Sequence, residues 1–308
     1  MLSVSLTQKV SLFQEVDGEG GNSYRSVKIA PDDGYLIGSN ADAFHSTDVA
    51  QGPTLIDSQF TNIMNDFFST HATIHVLHAP ATPAAAAGGF HLIQPRAWAF
   101  GSMAGAAIDE YYGTASPMSN VVPGKDTLSC YALDSFAKIG TATIASASQV
   151  TDAAALKAAR AVQASLDSAG ATPAIQTWDS VTLWSVTLDA SAAGWLSGGA
   201  AARLCTVDRF GGAGVSITRN RFVNGAAFLG RTKSTGAYIA NNTWRNTATH
   251  TLEVAGLQNF MEGPIEIRNV SVVDNVFIDS TTNGSSPVAP GPNTTGVTFK
   301  GNTISPPK

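Results

Sequence analysis

Four asparagines recur at comparable places in the last third of the chain, and this repeat constrains the fold more than any other feature. Each follows a short stretch of alternating apolar residues and precedes, two residues later, a large apolar residue; they are Asn220, Asn242, Asn275 and Asn302. Their spacing of 22 to 33 residues is typical of one coil of a right-handed parallel β-helix with loop insertions. Asparagine suits such a turn because it tolerates left-handed geometry and hydrogen-bonds its stacked copy.

Two carboxylates lie about one coil apart in the stretch from Ser39 to His75. Asp42 precedes His45 by three residues, and Asp66 precedes His71 by five. Coils of a parallel β-helix stack at the strand spacing of roughly 4.8 Å, so residues one coil apart lie nearly on top of one another. Glycosidase catalysis needs at least two carboxyl groups brought together in this way. We therefore predict that Asp42 and Asp66 form an acid/base pair, with their individual roles unassigned.

The predicted fold class is all-β, a right-handed parallel β-helix interrupted by a small, mostly-β, barrel-like domain. Residues 1–78 and 204–308 are assigned to the β-helix, and its first coils are expected to be incomplete or capped by something else. Residues 79–203 are assigned to the insert. The insert carries one predicted helix, from Thr151 to Ala169, with Thr151 or Asp152 as N-cap.

Composition excludes several classes of function. The net charge of −5 comes without a basic cluster or interleaved aromatic and basic residues, so nucleic-acid binding is not expected. The sequence has no run of eighteen apolar residues, so no membrane span is predicted. Cys130 and Cys205 are the only cysteines; we interpret them as two separate buried thiols, with a single bridge as the alternative.

The order of motifs resembles the β-helical exo-α-1,3-galactosidases of glycoside hydrolase family 110. The resemblance rests on Ala41-Asp42-Ala43-Phe44-His45, on Asn65-Asp66-Phe67-Phe68-Ser69-Thr70-His71, and on the later segments around Arg231 and Glu262. It covers residues 1–78 and about 204–280, and the insert is similar only in kind. The resemblance implies hydrolysis of terminal α-linked galactose with inversion and without a cofactor. The partner it implies is a galactose-containing glycan.

The same resemblance assigns the other site residues and shows one departure. His45 and His71 are expected to bind sugar hydroxyls or orient the acids, and Arg231 and Glu262 to hold galactose hydroxyls from later coils. The family's acidic pair is Asn65-Asp66 here, so one carboxylate is replaced by an amide. If the site uses the position of Asn65, one acid is missing; if it uses Asp66, the pair survives.

For these residues a purely structural role is the alternative interpretation. Asp42 and Asp66 are also typical of coil corners, and Arg231 with Glu262 is also consistent with a surface pair. Trp244 is a candidate stacking platform, although its position in the repeat favours the core. No metal site is predicted, because His71 and His75 would share a strand face that His78 does not.

Two functional hypotheses follow. The first is an exo-acting α-galactoside hydrolase, favoured by Asp42, His45, Asp66 and His71 together. The second is a catalytically degenerate β-helix that binds carbohydrate or serves as a surface protein, favoured by Asn65. Either class acts on external glycans, so an extracellular or cell-surface location is expected, although no signal peptide is visible. The sequence does not indicate an oligomeric state.

Overall fold

The computed structural model describes residues 3–4, 12–33, 35–39, 42–78, 89–95, 117–168, 181–192, 203–226, 230–247, 252–256, 262–280, 288–291 and 293–305. These residues are mostly β-strand, which confirms the all-β prediction. The chain forms two compact units. The first comprises residues 1–72, 211–256 and 266–308, and the second comprises residues 73–210 and 257–265.

The first unit is built on three parallel sheets. The strands of the first sheet, in pairing order, are Ser3–Val4, Lys28–Ile29, Gln59–Ile63, Arg221–Gly225, Thr243–Thr247, Val276–Ile278 and Thr303–Ser305. Those of the second are Ser23–Arg25, Thr54–Ile56, Ser216–Thr218, Tyr238–Ala240, Ser271–Val273 and Thr298–Lys300. Those of the third are Phe13–Gly20, Phe44–Gln51, Phe68–Thr73, Gly230–Thr232, Leu252–Val254 and Val288–Pro290. A two-stranded sheet pairs Ile267–Arg268 with Thr294–Thr295.

Apolar residues from all three sheets pack into one core, which explains why each strand carries alternating apolar residues. Trp244 lies at the centre of this core and is fully buried. Its ring stacks on Phe222 at a centroid distance of 4.1 Å and on Phe277 at 6.2 Å. Trp244 is therefore a core residue and does not offer a stacking platform to a ligand.

The repeated asparagines form a continuous ladder, as their spacing predicted. The side-chain oxygen of Asn242 accepts hydrogen bonds from the backbone N–H of Asn220 at 2.8 Å and from its amide at 3.1 Å. The same pair of bonds joins Asn242 to Asn275 and Asn275 to Asn302. The expectation that asparagine itself adopts the left-handed conformation is wrong. The left-handed residues are those immediately before, namely Arg219, Asn241, Asp274 and Gly301.

The second unit contains a closed, mainly antiparallel barrel. Its strands, in order around the barrel, are Gly89–Pro95, Val181–Leu188, Lys138–Val150, Thr127–Tyr131, Arg203–Val207 and His75–His78. We predicted from the sequence that His75–His78 and part of Arg203–Val207 belong to the β-helix. Both strands belong to the barrel because they pair with each other and with barrel strands. The short strand Glu262–Gly263 also falls in this unit.

A disulfide and a helix complete the second unit. Cys130 and Cys205 lie directly opposite each other on paired strands, with Cα atoms 4.2 Å apart, and are bonded. The prediction of two separate thiols is therefore wrong, because the sequence does not show that the two strands pair. The α-helix spans Ala153–Ser168, and the carboxylate of Asp152 accepts the N–H of Ala155 at 2.8 Å as its N-cap. Short 3₁₀ turns are Pro117–Asn120, Ala190–Ala192 and Asp208–Phe210.

Candidate active site

The turns that carry Asp42 and Asp66 stack on one another just before two paired strands of the third sheet. The N–H of Ala43 donates to the carbonyl oxygen of Asp66 at 2.9 Å, and the N–H of Asp66 donates to the Asp42 carboxylate at 3.2 Å. Phe44 and Phe68, the first residues of those strands, are buried in the core and opposite each other in register. Core burial of these phenylalanines therefore fixes the two turns, and with them the acids, side by side.

The Asp42 carboxylate is held by three donors. Its Oδ1 accepts the Asn65 amide at 2.5 Å as well as the N–H of Asp66, and its Oδ2 lies 2.8 Å from Nδ1 of His45. The Asp42 side chain is only 6% exposed. A buried carboxylate needs such partners, because an unpaired charge in the interior is strongly destabilising. Asn65 therefore directly contacts the Asp42 carboxylate.

His45 and His71 form a hydrogen-bonded imidazole pair. Their Nε2 atoms lie 2.7 Å apart, and their rings meet edge to face with centroids 4.8 Å apart. The other ring nitrogen of His71, Nδ1, lies 3.3 Å from the Thr47 hydroxyl and 3.3 Å from the Ala72 carbonyl oxygen. Both residues are buried. Asp42, His45 and His71 thus form one continuous chain of polar contacts.

A row of polar side chains crosses the third sheet beside this chain. His45 is in register with Ser69, Ser69 with Arg231, and Arg231 with Glu253. Their strand neighbours Phe44, Phe68 and Leu252 are in the core, so these four residues project from the opposite face. We call His45, Ser69, Arg231 and Glu253 the polar row.

Arg231 lies between two acids. Its Nε donates to Oε2 of Glu253 at 2.9 Å, and its Nη1 lies 3.7 Å from Oδ2 of Asp66. The side chains of Asp66, Arg231 and Glu253 are all 10% exposed or less. The second oxygen of Glu253 is buried and accepts no hydrogen bond from the described residues.

The structure brings together six of the seven predicted site residues: Asp42, His45, Asn65, Asp66, His71 and Arg231. The seventh, Glu262, is partly buried and lies in the short strand Glu262–Gly263, so its role stays a prediction. Arg231 hydrogen-bonds to Glu253, which was not among the predicted residues. The sequence analysis missed Glu253. A signal was present, because Glu253 lies 22 residues after Arg231, the same interval that separates Asn220 from Asn242.

Lys233 is a second residue that the sequence analysis missed. It is 1% exposed, and its backbone N–H donates to the carbonyl oxygen of Thr70. It follows Arg231 by two residues, so alternation places it toward the same side of the chain. A fully buried lysine is rare in proteins and usually has a partner. The position of Lys233, two residues after Arg231 and among small and apolar residues, could have indicated from the sequence that it is buried.

Other titratable residues lie outside this site. Asp17 has a pKa raised to about 8 by burial and by the neighbouring charge of Asp48. His75, in the second unit, has a pKa lowered to about 4, chiefly by complete burial. Across the described ranges, no three His, Cys, Asp or Glu side chains are grouped so that they could hold a metal ion.

Comparisons with known proteins leave the chain without an assigned family. No protein-family model matches it, and no curated protein matches it at a significant level. In the part of the chain that the structure describes, no helix combines the length and apolar character needed to cross a membrane. The functional argument therefore depends on the geometry of the Asp42 and Asp66 site.

Proposed function

We propose that this protein is an exo-acting glycoside hydrolase that releases terminal α-linked galactose with inversion, as in glycoside hydrolase family 110. We further propose that the three parallel sheets are the faces of a right-handed parallel β-helix. The observation that carries the functional proposal is the convergence of Asp42 and Asp66, whose turns are hydrogen-bonded to each other. An extracellular or cell-surface location follows from this class of activity.

In this proposal the two acids have different roles in the inverting reaction. One carboxyl group donates a proton to the leaving oxygen, and the other, as a carboxylate, activates water on the opposite face of the sugar. Arg231 and Glu253 bind galactose hydroxyls, Arg231 as donor and Glu253 as acceptor. No cofactor is needed for this chemistry.

The alternative is a β-helix protein that binds carbohydrate without cleaving it. Two observations favour it. Asn65 occupies Oδ1 of Asp42 with an amide where the family has a carboxylate, and the Asp66 side chain is only 3% exposed. In that case Arg231, Glu253 and the imidazole pair would bind a sugar, and the acids would only support them.

Hydrolysis of α-1,3-galactobiose and of p-nitrophenyl α-galactoside separates these proposals. The parent, Asp66→Asn and Asn65→Asp are compared, and NMR identifies the anomer first released. The hydrolase proposal expects an active parent that releases β-galactose, and a loss of roughly 10²–10⁴-fold in Asp66→Asn. Activity only in Asn65→Asp, or galactoside binding without turnover in all three, would instead support the binding protein.

A further inference from the structure

The contact between the Nε2 atoms of His45 and His71 fixes how many protons the two rings hold. At 2.7 Å one nitrogen must donate and the other must accept, so one proton lies between them. The Asp42 carboxylate accepts from His45 Nδ1, which therefore carries a proton. In the neutral pair His45 accepts at Nε2, so His71 donates at Nε2 and accepts at Nδ1 from the Thr47 hydroxyl.

From this geometry we infer that His45 and His71 act as one proton relay that ends at Asp42. When a proton binds to Nδ1 of His71, the resulting N–H can donate a hydrogen bond to the Ala72 carbonyl oxygen. His71 then releases its Nε2 proton to Nε2 of His45, and His45 releases its Nδ1 proton to Oδ2 of Asp42. One proton enters at His71 and one proton appears on Asp42. Both rings end neutral, with their tautomers reversed.

The relay holds at most one extra proton while the two rings stay in contact. A second would require both Nε2 atoms to carry hydrogen, which the 2.7 Å separation does not allow. The pair is therefore neutral or singly positive, and a proton on Nε2 of one ring excludes a proton on Nε2 of the other.

The charged groups around the relay are those of the polar row and its neighbours. Asp42 contacts His45 directly, and the strand Phe13–Gly20 places the neutral Gln14 in register with His45. On the other side are Arg231, opposite Ser69, and Lys233, which follows it. Asp66 and Glu253 both lie beside Arg231. The relay is thus flanked by acids and bases, and Asp42 contacts the His45 ring directly.

This inference deepens the proposed function, on which its catalytic meaning rests. It makes Asp42 the general acid, because the relay can supply its proton once each time the two rings return to their starting tautomers, and leaves Asp66 to activate water. His45 and His71 are then positioning residues that act through Asp42.

Long-range ¹H–¹⁵N NMR of histidine-labelled protein, recorded from pH 9 to pH 4, tests the relay directly. His45→Gln and His71→Gln assign the signals, and His91→Gln, in the barrel strand Gly89–Pro95, is the control. At high pH we expect His45 as the Nδ1–H tautomer and His71 as the Nε2–H tautomer. On acidification both rings should shift at one common midpoint, and Asp42→Asn should move that midpoint to lower pH. Opposite tautomers, or two rings that titrate independently, would overturn the inference.

The pH dependence of turnover separates the relay from a merely structural role. Glutamine at position 71 can still hydrogen-bond to His45 but cannot carry a proton. We expect His71→Gln to lower kcat by roughly 10²-fold and to change the shape of the pH profile, with little change in KM. An unchanged profile would overturn the relay even if the protein is a hydrolase. A coupled titration in a protein without turnover would retain the relay and reject the proposed function.

Discussion

Two sets of stacked polar residues cross the first unit, and they differ in one respect. In the asparagine ladder each residue lies beside a copy of itself, and every amide bonds to the next. In the polar row and the acids beside it, each residue lies beside a different one, so a carboxylate meets an imidazole or a guanidinium. The ladder repeats because each asparagine makes the same contacts with the next one. The polar row does not repeat, and this difference indicates a site.

The chemistry of each set explains its form. An amide has both a donor and an acceptor, so identical amides can stack without a charge penalty. An ionised carboxylate only accepts, so it must be followed by a donor. We therefore expect both sets to contribute to stability, and activity to depend on the non-repeating residues alone. The predictions below test this division, beginning with the largest expected effect.

Removing the cation of the polar row should cost the most stability. In Arg231→Met the buried acids Asp66 and Glu253 lose their shared partner, so the free energy of unfolding should fall by about 3–5 kcal/mol. Urea unfolding at pH 7 measures this fall. The control is Arg219→Met, which breaks the exposed pair with Asp57 and should change the free energy of unfolding far less. Equal effects in the two variants would contradict the buried charge balance.

Breaking the ladder at its centre should be the next largest effect. Asn242→Ala leaves the N–H and the amide of Asn220 without their acceptor in the interior, at a cost on the order of 2–4 kcal/mol. Thermal unfolding gives the difference. Asn246→Gly is the matched control, because Asn246 donates to Asn224 in an exposed ladder and its left-handed φ suits glycine. A loss as large in Asn246→Gly would show that burial is not the cause.

Changing Asn65 to aspartate should make stability depend on pH. The amide of Asn65 lies 2.5 Å from Oδ1 of Asp42, so Asn65→Asp would bring two carboxyl groups into contact and raise the pKa of one of them. Stability should then be fully present below about pH 4 and fall as the pH rises through the raised pKa, by a few kcal/mol at most. Melting curves from pH 4 to pH 8 test this. The control, Asn65→Ala, should show a loss that does not depend on pH.

Asp17 lies beside the charge of Asp48, and its effect on stability should appear only as the pH rises. The pKa of Asp17 is raised to about 8, and neither of its carboxylate oxygens accepts a hydrogen bond from the described residues. Because the folded pKa lies above the unfolded one, stability is lost between about pH 4 and pH 8. Asp17→Asn keeps the left-handed φ and removes the charge. Its melting temperature should exceed that of the parent at pH 8 and equal it near pH 4; a difference independent of pH would contradict this.

The two sets of residues were not equally predictable from the sequence. The periodicity of the sequence predicted the ladder, because asparagine recurs at the same position of each repeat. It also placed Asp42 beside Asp66, since both lie at the start of strands that begin with a core phenylalanine. It could not identify Glu253 as the partner of Arg231, because unlike residues in register leave no repeat. The interpretation of the cysteines failed for a related reason: the pairing of their strands depends on the closure of the barrel, which has no local signal.

Parallel measurement of turnover and stability in Asp66→Asn and Asn242→Ala tests the division between site and scaffold most directly. Hydrolysis of α-1,3-galactobiose is measured at a temperature where both variants and the parent are folded. The account predicts that Asp66→Asn loses roughly 10²–10⁴-fold in kcat/KM, with only a modest loss of stability. It also predicts that Asn242→Ala unfolds more readily but keeps the kcat/KM of the parent. An Asp66→Asn variant as active as the parent, or a parent that leaves the galactoside intact, would contradict it.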